Sequence, residues 1–146
     1  MKKYKLIANP AAGRGKANAA VLQAVELFKA KGATFDLELT TAPRQAAEIA
    51  RKALEEFDVI VAVGGDGTVN EIVPGMLFSG KPLGIIPSGS GNDFIKSLGI
   101  PNAIEAAVDI VLKGGTRIID AGRINGRYFA NGVGIGFDAA VNRASY

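Results

Sequence analysis

The chain has 146 residues, of which 48% are hydrophobic and 21% charged, so it can bury the core of a globular domain. Its net charge of +3 is too small to indicate nucleic acid as a partner, and Lys2, Lys3 and Lys5 are expected at a solvated strand end. Without cysteine there are no disulfides or thiolate metal sites, and without histidine any acid–base chemistry falls to carboxylates, lysine or tyrosine. The sequence has no apolar run long enough to span a membrane and no signal-peptide core, which predicts a cytoplasmic protein.

The first predicted strand, residues 3–8, leads into a glycine-bearing loop that carries Arg14 and Lys16. The spacing of this loop does not fit a Walker A motif. A helix follows and stops at Gly32, with one apolar face made of Val21, Leu22, Val25 and Phe28. Residues 34–39 then alternate between apolar and polar side chains, which predicts a half-exposed strand near a sheet edge.

The stretch that organises the chain is residues 59–71, where a strand, a glycine turn and a helix start follow one another. Five apolar residues predict a strand covered on both faces. The first glycine turn (residues 64–67, Gly-Gly-Asp-Gly) has little bulk, so a ligand can approach its backbone. Gly65→Val is expected to block that approach and leave the fold largely intact, with local misfolding as the risk if Gly65 needs a positive φ. Thr68 and Glu71 have the spacing of a capping box. A helix N-terminus beside such a turn favours phosphate, although an ordinary tight turn has the same features.

A short buried strand at residues 83–86 meets a second glycine-rich stretch at residues 87–94. Ser90 and Asp93 again have capping-box spacing, and an amphipathic helix follows. Pro74, inside the helix before this strand, is expected to kink or shorten that helix. The alternation of strands and helices predicts an α/β fold with a parallel sheet and helices on both faces.

The pattern changes after the last predicted helix. Residues 117–122 and 127–133 predict two strands joined through Asn125-Gly126, a strong hairpin signal. Since a lone hairpin is marginal, we expect residues 1–115 to form an α/β domain and residues 116–146 to begin a β-rich second domain that is incomplete here. An unpaired hairpin edge tends to pair with another copy, so a homodimer or a disordered tail is expected.

Six short motifs occur along nearly the whole chain: Asn9-Pro10 with Gly13 and Gly15, Thr40 before Pro43, residues 64–71, residues 89–94, residues 120–122 and residues 134–138. In their order and spacing they resemble the diacylglycerol kinase catalytic-domain family, which includes bacterial lipid kinases and sphingosine kinases. The first glycine turn alone is also typical of NAD kinases, but together with Gly-x-Gly-Asn-Asp-Phe at residues 89–94 it indicates the lipid-kinase branch. The resemblance implies a Rossmann-like N-terminal domain of the NAD kinase/diacylglycerol kinase type, followed by the first strands of a β-sandwich domain.

The resemblance also implies an ATP site in the α/β domain. The nucleotide-binding residues that it implies are Asn9, Pro10, Ala11, Ala12, Gly13, Thr40, Gly64, Gly65, Asp66, Gly67, Thr68, Asn70 and Ser90, the last standing where many family members have threonine. It further implies water-mediated Mg²⁺ binding by Asp66, Asp93 and Asp120, with Lys96 as a basic neighbour. Plainer roles stay open for two of these carboxylates: a contact at a helix N-terminus for Asp93, and pairing with Lys96 or Arg123 for Asp120.

The resemblance implies that the family's catalytic carboxylate and most of its lipid cleft lie on a part of the protein beyond residue 146. The resemblance therefore implies a supporting catalytic role for Asp66 and an isolated chain that transfers little phosphate. The expected function is that of an ATP-binding domain of a lipid kinase, which passes the γ-phosphate to the hydroxyl of a diacylglycerol-like lipid and touches the membrane peripherally as a full-length protein. The alternatives are a nucleotide kinase of the NAD-kinase type and a nucleotide-binding module without catalysis.

Overall fold

In the part of the chain that the structure describes, four parallel strands form the central sheet, five helices cover its two faces, and a short hairpin follows. The computed structural model describes residues 1–10 and 16–132. In chain order the elements are β1 (Lys3–Ala8), α1 (Lys16–Ala30), β2 (Thr34–Leu39), α2 (Gln45–Ala53), β3 (Val59–Gly64), α3 (Asp66–Met76), β4 (Leu83–Pro87), α4 (Asp93–Leu98), α5 (Ile104–Lys113), β5 (Gly122–Ile124) and β6 (Arg127–Phe129).

The sheet has the strand order β2-β1-β3-β4, and all its pairs are parallel, which confirms the predicted α/β class and places β2 at an edge. In register, Leu6 of β1 lies between Leu37 of β2 and Val61 of β3. The chain runs from β1 outward to β2 and then returns to the other side of β1 to form β3. The strand order thus reverses between β1 and β3, and a reversal of this kind opens a crevice at the carboxyl ends of the strands.

Each face of the sheet has its own apolar core. On one face α1 and α5 pack on the strands, with Phe28, Val61 and Val108 fully buried. On the other face α2, α3 and α4 do so, around Ile72. The apolar face predicted for α1 is wrong at Leu22, whose exposed fraction is 65%. Leu22 is the immediate neighbour of Val21, and adjacent helical residues point about 100° apart, so only one of them can face the sheet.

Two contacts tie α2 and the turn after it to later parts of the chain. In α3, a Cβ on Gly75 would lie 2.1 Å from the carbonyl oxygen of Ala47, so α2 and α3 approach each other at backbone contact. The same helix ends at Met76, two residues after Pro74, as the proline predicted. After α2, the Nζ of Lys81 donates to the carbonyl oxygens of Leu54 and Phe57, which satisfies groups that the helix end leaves free.

Lys5 is buried in β1, which contradicts its expected solvation. The strand lies between β2 and β3, so the side chain cannot reach bulk water freely. Its Nζ instead contacts the carboxylates of Asp36 and Glu38 on β2, the latter at 2.7 Å, and lies 5.4 Å from the centre of the Phe57 ring. Burial is the largest influence on the pKa of Lys5 and lowers it, but the hydrogen bonds and charges of the two carboxylates together outweigh burial and raise the pKa above its ordinary value.

The hairpin is shorter than predicted. Its turn is as expected, with Asn125 and Gly126 both at positive φ, but residues 117–121 are exposed and form no strand. Within the described chain these residues have no neighbouring strand with which to pair. The hairpin lies against α3 instead: the N–H of Ala130 donates to Oδ1 of Asn70 at 3.0 Å.

Candidate functional site

Four predicted site segments meet at the carboxyl edge of the sheet, because each follows the end of a strand. Asn9 and Pro10 follow β1, Thr40 follows β2, the first glycine turn closes β3, and the second glycine turn (residues 88–92) follows β4. Thr40 is buried, and its N–H donates to the carbonyl oxygen of Ala8 at 2.9 Å. These segments surround the point where the strand order reverses, the usual ligand position in open α/β sheets.

Helix α3 begins inside the first glycine turn, earlier in the chain than the predicted N-cap Thr68 allows. The helix begins at Asp66, and the carbonyl oxygen of Gly65 already accepts the N–H of Val69. Thr68 is therefore the third helical residue and not the N-cap, so the prediction was wrong. The Thr68 side chain is buried over Gly64, where a Cβ would lie 2.2 Å from its Oγ1. Gly64 is thus needed to let the strand end pack under the helix.

The carboxylate of Asp66 joins the two glycine turns. Its Oδ2 accepts the N–H of Asp93 at 3.0 Å and its Oδ1 accepts the N–H of Phe94 at 2.9 Å. These are the first two N–H groups of α4, which has no side-chain cap of its own, so the second capping box, built on Ser90 and Asp93, was also wrong. A carboxylate at this position satisfies two free donors and interacts favourably with the helix dipole. We call this arrangement the Asp66 clamp.

The second glycine turn is organised by Asn92, a residue that the sequence reasoning did not select. Only 8% of Asn92 is exposed, and its backbone is left-handed with φ +52°. Its Oδ1 accepts the N–H of Gly89 at 3.1 Å, and its Nδ2 donates to the carbonyl oxygen of Gly89 at 2.8 Å and to Oδ1 of Asn102 at 3.2 Å. A Cβ on Gly89 would lie 2.6 Å from Cα of Gly65, so the two turns touch at their backbones.

The predicted acidic residues are only partly brought together. Asp66 and Asp93 both face Gly91, since a Cβ there would lie 3.4 Å and 3.6 Å from their respective Oδ2 atoms. Asp93 also pairs with Lys96, with 2.9 Å between Oδ1 and Nζ, as a basic neighbour would. Asp120 lies exposed just before β5. Within residues 1–10 and 16–132, no three His, Cys, Asp or Glu side chains are grouped so as to hold a metal ion.

Of the other predicted nucleotide-binding residues, some are exposed to solvent and one is hydrogen-bonded within the protein. Gly67 and Ser90 are exposed, whereas Asn70 uses its side-chain oxygen to hold the hairpin. Ala11, Ala12 and Gly13 lie outside the described residues.

A neutral cleft of about 380 Å³ lies beside the second glycine turn, between α1 and α5. Gln23, Asn92 and Asn102 contribute amide groups to its lining, and Ala20 and Ile104 contribute apolar surface. The Oγ of Ser88, also in the lining, is buried and makes no hydrogen bond. The described lining carries no charged side chain, so the cleft offers no electrostatic attraction of its own for a phosphate.

Together, the reversed strand order, the two glycine turns and the Asp66 clamp define an α/β domain that presents backbone groups at one edge of a parallel sheet. The chain belongs to the diacylglycerol kinase catalytic domain family, whose profile matches residues 3–124. This finding confirms the resemblance seen in the sequence.

Named relatives agree with the family assignment. The chain is 42% identical over 140 residues to a diacylglycerol kinase of Bacillus subtilis (strain 168), covering 93% of this chain and 46% of the relative. It is 36% identical over 135 residues to one of Staphylococcus aureus (strain bovine RF122 / ET3-1), covering 89% and 42%. The chain therefore spans less than half the length of these curated relatives.

The fold is also that of solved relatives. A crystal structure of a diacylglycerol kinase from Bacillus anthracis (strain Sterne) superposes with a TM-score of 0.76 at 31% identity, over 88% of this chain and 45% of that one. In the described part of the chain, every helix is too short or too polar to cross a bilayer.

Proposed function

We propose that this chain is the ATP-binding part of a lipid kinase that transfers the γ-phosphate of ATP to a lipid hydroxyl of the diacylglycerol type. The observation that carries the proposal is the contact between the two glycine turns beside the strand reversal. This contact brings the exposed backbone at the N-termini of α3 and α4 together at one edge of the sheet. Family membership and the names of the relatives support the choice of kinase and of lipid, whereas the geometry supports the phosphate-binding edge.

The proposed phosphate-binding surface uses backbone more than side chains. At Gly67 an added Cβ would meet no atom within 4 Å, so the backbone there is open to a ligand. Gly67 lies in the first turn of α3, an 11-residue helix whose N-terminal N–H groups and dipole favour negative charge. Ser90, exposed on the neighbouring turn, adds a hydroxyl donor. Positioning and electrostatic stabilisation supply most of the catalysis in phosphoryl transfer, so a surface of this kind is what the reaction needs.

The carboxylates present suit Mg²⁺ held through water. Mg²⁺ prefers oxygen ligands, keeps several waters and usually takes one or two carboxylates, and Asp66 and Asp93 are two carboxylates facing one glycine. Each oxygen of Asp66 already accepts one N–H and keeps a second lone pair for a water. When bound, the ion would neutralise charge on the phosphates. The proposal keeps Asp120, exposed just before β5, as a third contributor.

The rest of the proposed reaction concerns a longer protein. The base for the acceptor hydroxyl, the lipid cleft and the peripheral membrane contact are assigned to a second domain, of which residues 116–146 would be the start. The isolated chain is then expected to bind ATP but to transfer phosphate negligibly. A homodimer through the hairpin remains part of the proposal for the isolated chain.

The experiment that tests the function offers γ-labelled ATP with Mg²⁺ to this chain and to a version extended to the length of its relatives. Diacylglycerol in mixed micelles and NAD are the acceptors, and calorimetry measures ATP binding in parallel. We expect ATP binding by both proteins and lipid labelling by the extended one alone. Labelling of NAD instead would identify a nucleotide kinase, and ATP binding without labelling by either protein would identify a binding module. Saturable lipid labelling by the 146-residue chain would show that the catalytic base lies within it.

A further inference from the structure

Asn92 is buried and both N–H groups of its amide are hydrogen-bonded, yet it lies at a turn where a loop residue would ordinarily face water. Its amide makes three hydrogen bonds, two of them to the single residue Gly89. The N–H of Gly89 can only donate and its carbonyl oxygen can only accept, so the amide has one permitted orientation. The left-handed backbone adds a second restriction, because asparagine and glycine tolerate it better than other residues do.

These restrictions together leave asparagine as the residue that fits. Glycine at position 92 would accept the backbone angle but would make none of the three hydrogen bonds. Aspartate has nearly the same size and would still accept the N–H of Gly89. Its second oxygen, however, would replace Nδ2 and face the carbonyl oxygen of Gly89 at the present 2.8 Å. Two buried acceptor oxygens this close together repel each other and make no hydrogen bond, so Asn92→Asp would push the second glycine turn open.

The side chain of Asn92 sets the shape of a turn that both glycine segments share. It holds the N–H and carbonyl of Gly89 between its own atoms, and Gly89 rests against Gly65 of the first turn. The carbonyl oxygen of Asn92 accepts the N–H of Lys96. The residue after Asn92, Asp93, supplies an N–H group that the Asp66 carboxylate accepts. Ser90 and Gly91, exposed at the tip, thus sit between two fixed anchors.

We propose that Asn92 is a positioning residue for the phosphates of the nucleotide: its amide bonds to Gly89 and Asn102, and it holds Ser90 and the exposed backbone of the second glycine turn in register with the first. The inference rests on the proposed function, and it adds a residue outside the nucleotide-binding set implied by the sequence. Its consequence is specific. Loss of Asn92 weakens binding of the β- and γ-phosphates and leaves the rest of the nucleotide's binding in place.

The test compares N92G and N92D with N125G. The control removes the side chain of another left-handed asparagine, exposed at the hairpin turn and followed by a glycine. Affinities for ATP and for AMP, which lacks the β- and γ-phosphates, are measured by calorimetry with Mg²⁺, and circular dichroism verifies folding. We expect N92G and N92D to weaken ATP binding about tenfold or more, N92D the more strongly, with AMP binding unchanged within about twofold. N125G should match the unmodified chain for both ligands.

The outcomes separate the inference from the function on which it rests. Failure of the unmodified chain to bind ATP overturns both. Binding by the unmodified chain with equal ATP affinity in the folded variants, or equal losses for ATP and AMP, overturns the positioning role alone. Should N92G and N92D not fold, N102A replaces them, because it removes only the third hydrogen bond of Asn92. A loss of ATP affinity of about twofold or more without loss for AMP then supports the inference, and no such difference overturns it.

Discussion

Replacing Gly67 by alanine should strengthen the fold while weakening nucleotide binding. Gly67 is the second residue of α3, and it is exposed. An added Cβ would meet no atom within 4 Å, and the residue does not need positive φ. Alanine is therefore compatible with the native backbone, and in a helix it is favoured over glycine by about 0.5–1 kcal/mol. We expect the free energy of unfolding to rise by up to about that amount.

The same methyl group should obstruct the ligand. In the proposed site the phosphates approach the backbone of the first glycine turn closely, and a Cβ on Gly67 would occupy that approach. Loss of one hydrogen bond to a charged group costs about 1.5–3 kcal/mol, which corresponds to a fall in ATP affinity of roughly ten- to hundredfold. Stability and affinity thus move in opposite directions, and general damage to the fold cannot produce that result.

The assay combines urea unfolding with calorimetric titration of ATP, and Gly115→Ala is the matched control. Gly115 is also exposed and has no atom within 4 Å of an added Cβ, but it lies after α5 and away from both turns. Its variant should bind ATP normally. Gly65→Val is a poorer test than the sequence suggested: φ at Gly65 is −98°, but a Cβ there would lie 3.0 Å from Cα of Gly89 and would disturb the contact between the turns. Unchanged ATP affinity in a stabilised Gly67→Ala would refute the proposed phosphate surface.

Three further predictions concern buried or paired charges. Lys81→Met should lower the free energy of unfolding in urea by about 1–3 kcal/mol, because two carbonyls beyond α2 lose their donor, whereas exposed Lys29→Met should change it by less than about 0.5 kcal/mol. The raised pKa of Lys5 gives stability that is complete below its ordinary value of 10.5 and is lost as pH rises through its folded-state pKa. Lys5→Met should flatten this alkaline decline in chemical unfolding and leave the part due to the raised pKa values of Tyr4, Lys31 and Lys52. Asp66→Asn should lower stability by about 1.5–3 kcal/mol without any ligand and make ATP binding less dependent on Mg²⁺; unchanged stability would contradict the clamp.

The fold was largely predictable because its signals are local. Alternating polarity at residues 34–39 indicated the edge strand, and continuous apolar residues indicated the buried β3. Asn125-Gly126 indicated the hairpin turn, since the required backbone angles are a property of those two residues. Where the prediction of burial failed, the deciding contacts came from residues far away in the sequence. Lys5 is an example, because its carboxylate partners lie on β2.

The location of the site could be predicted from the sequence, but the hydrogen bonds within it could not. The glycine turns marked the place, but both capping boxes were wrong, because matching Thr68 with Glu71 or Ser90 with Asp93 assumes that a helix is capped by its own sequence. The cap of α4 comes from Asp66, 27 residues before its first N–H donor. Asn92 was missed for a related reason. Its importance comes from burial and from a left-handed backbone, and neither is visible in a Gly-x-Gly-Asn-Asp motif without the fold.

Asp66 caps α4 and is also proposed to help bind Mg²⁺, and the first role limits how the ion can approach its carboxylate. Both carboxylate oxygens accept N–H groups of α4, and these hydrogen bonds hold the second glycine turn against the first. Direct coordination of Mg²⁺ by Asp66 would place a dication close to the positive end of that helix and would weaken the hydrogen bonds that the same oxygens accept. A water between the ion and the carboxylate increases the distance from the ion to the helix N-terminus. The free lone pair on each oxygen can accept a hydrogen bond from that water, which Mg²⁺ retains readily. We therefore expect a metal at this site to reach Asp66 through water, with the clamp intact.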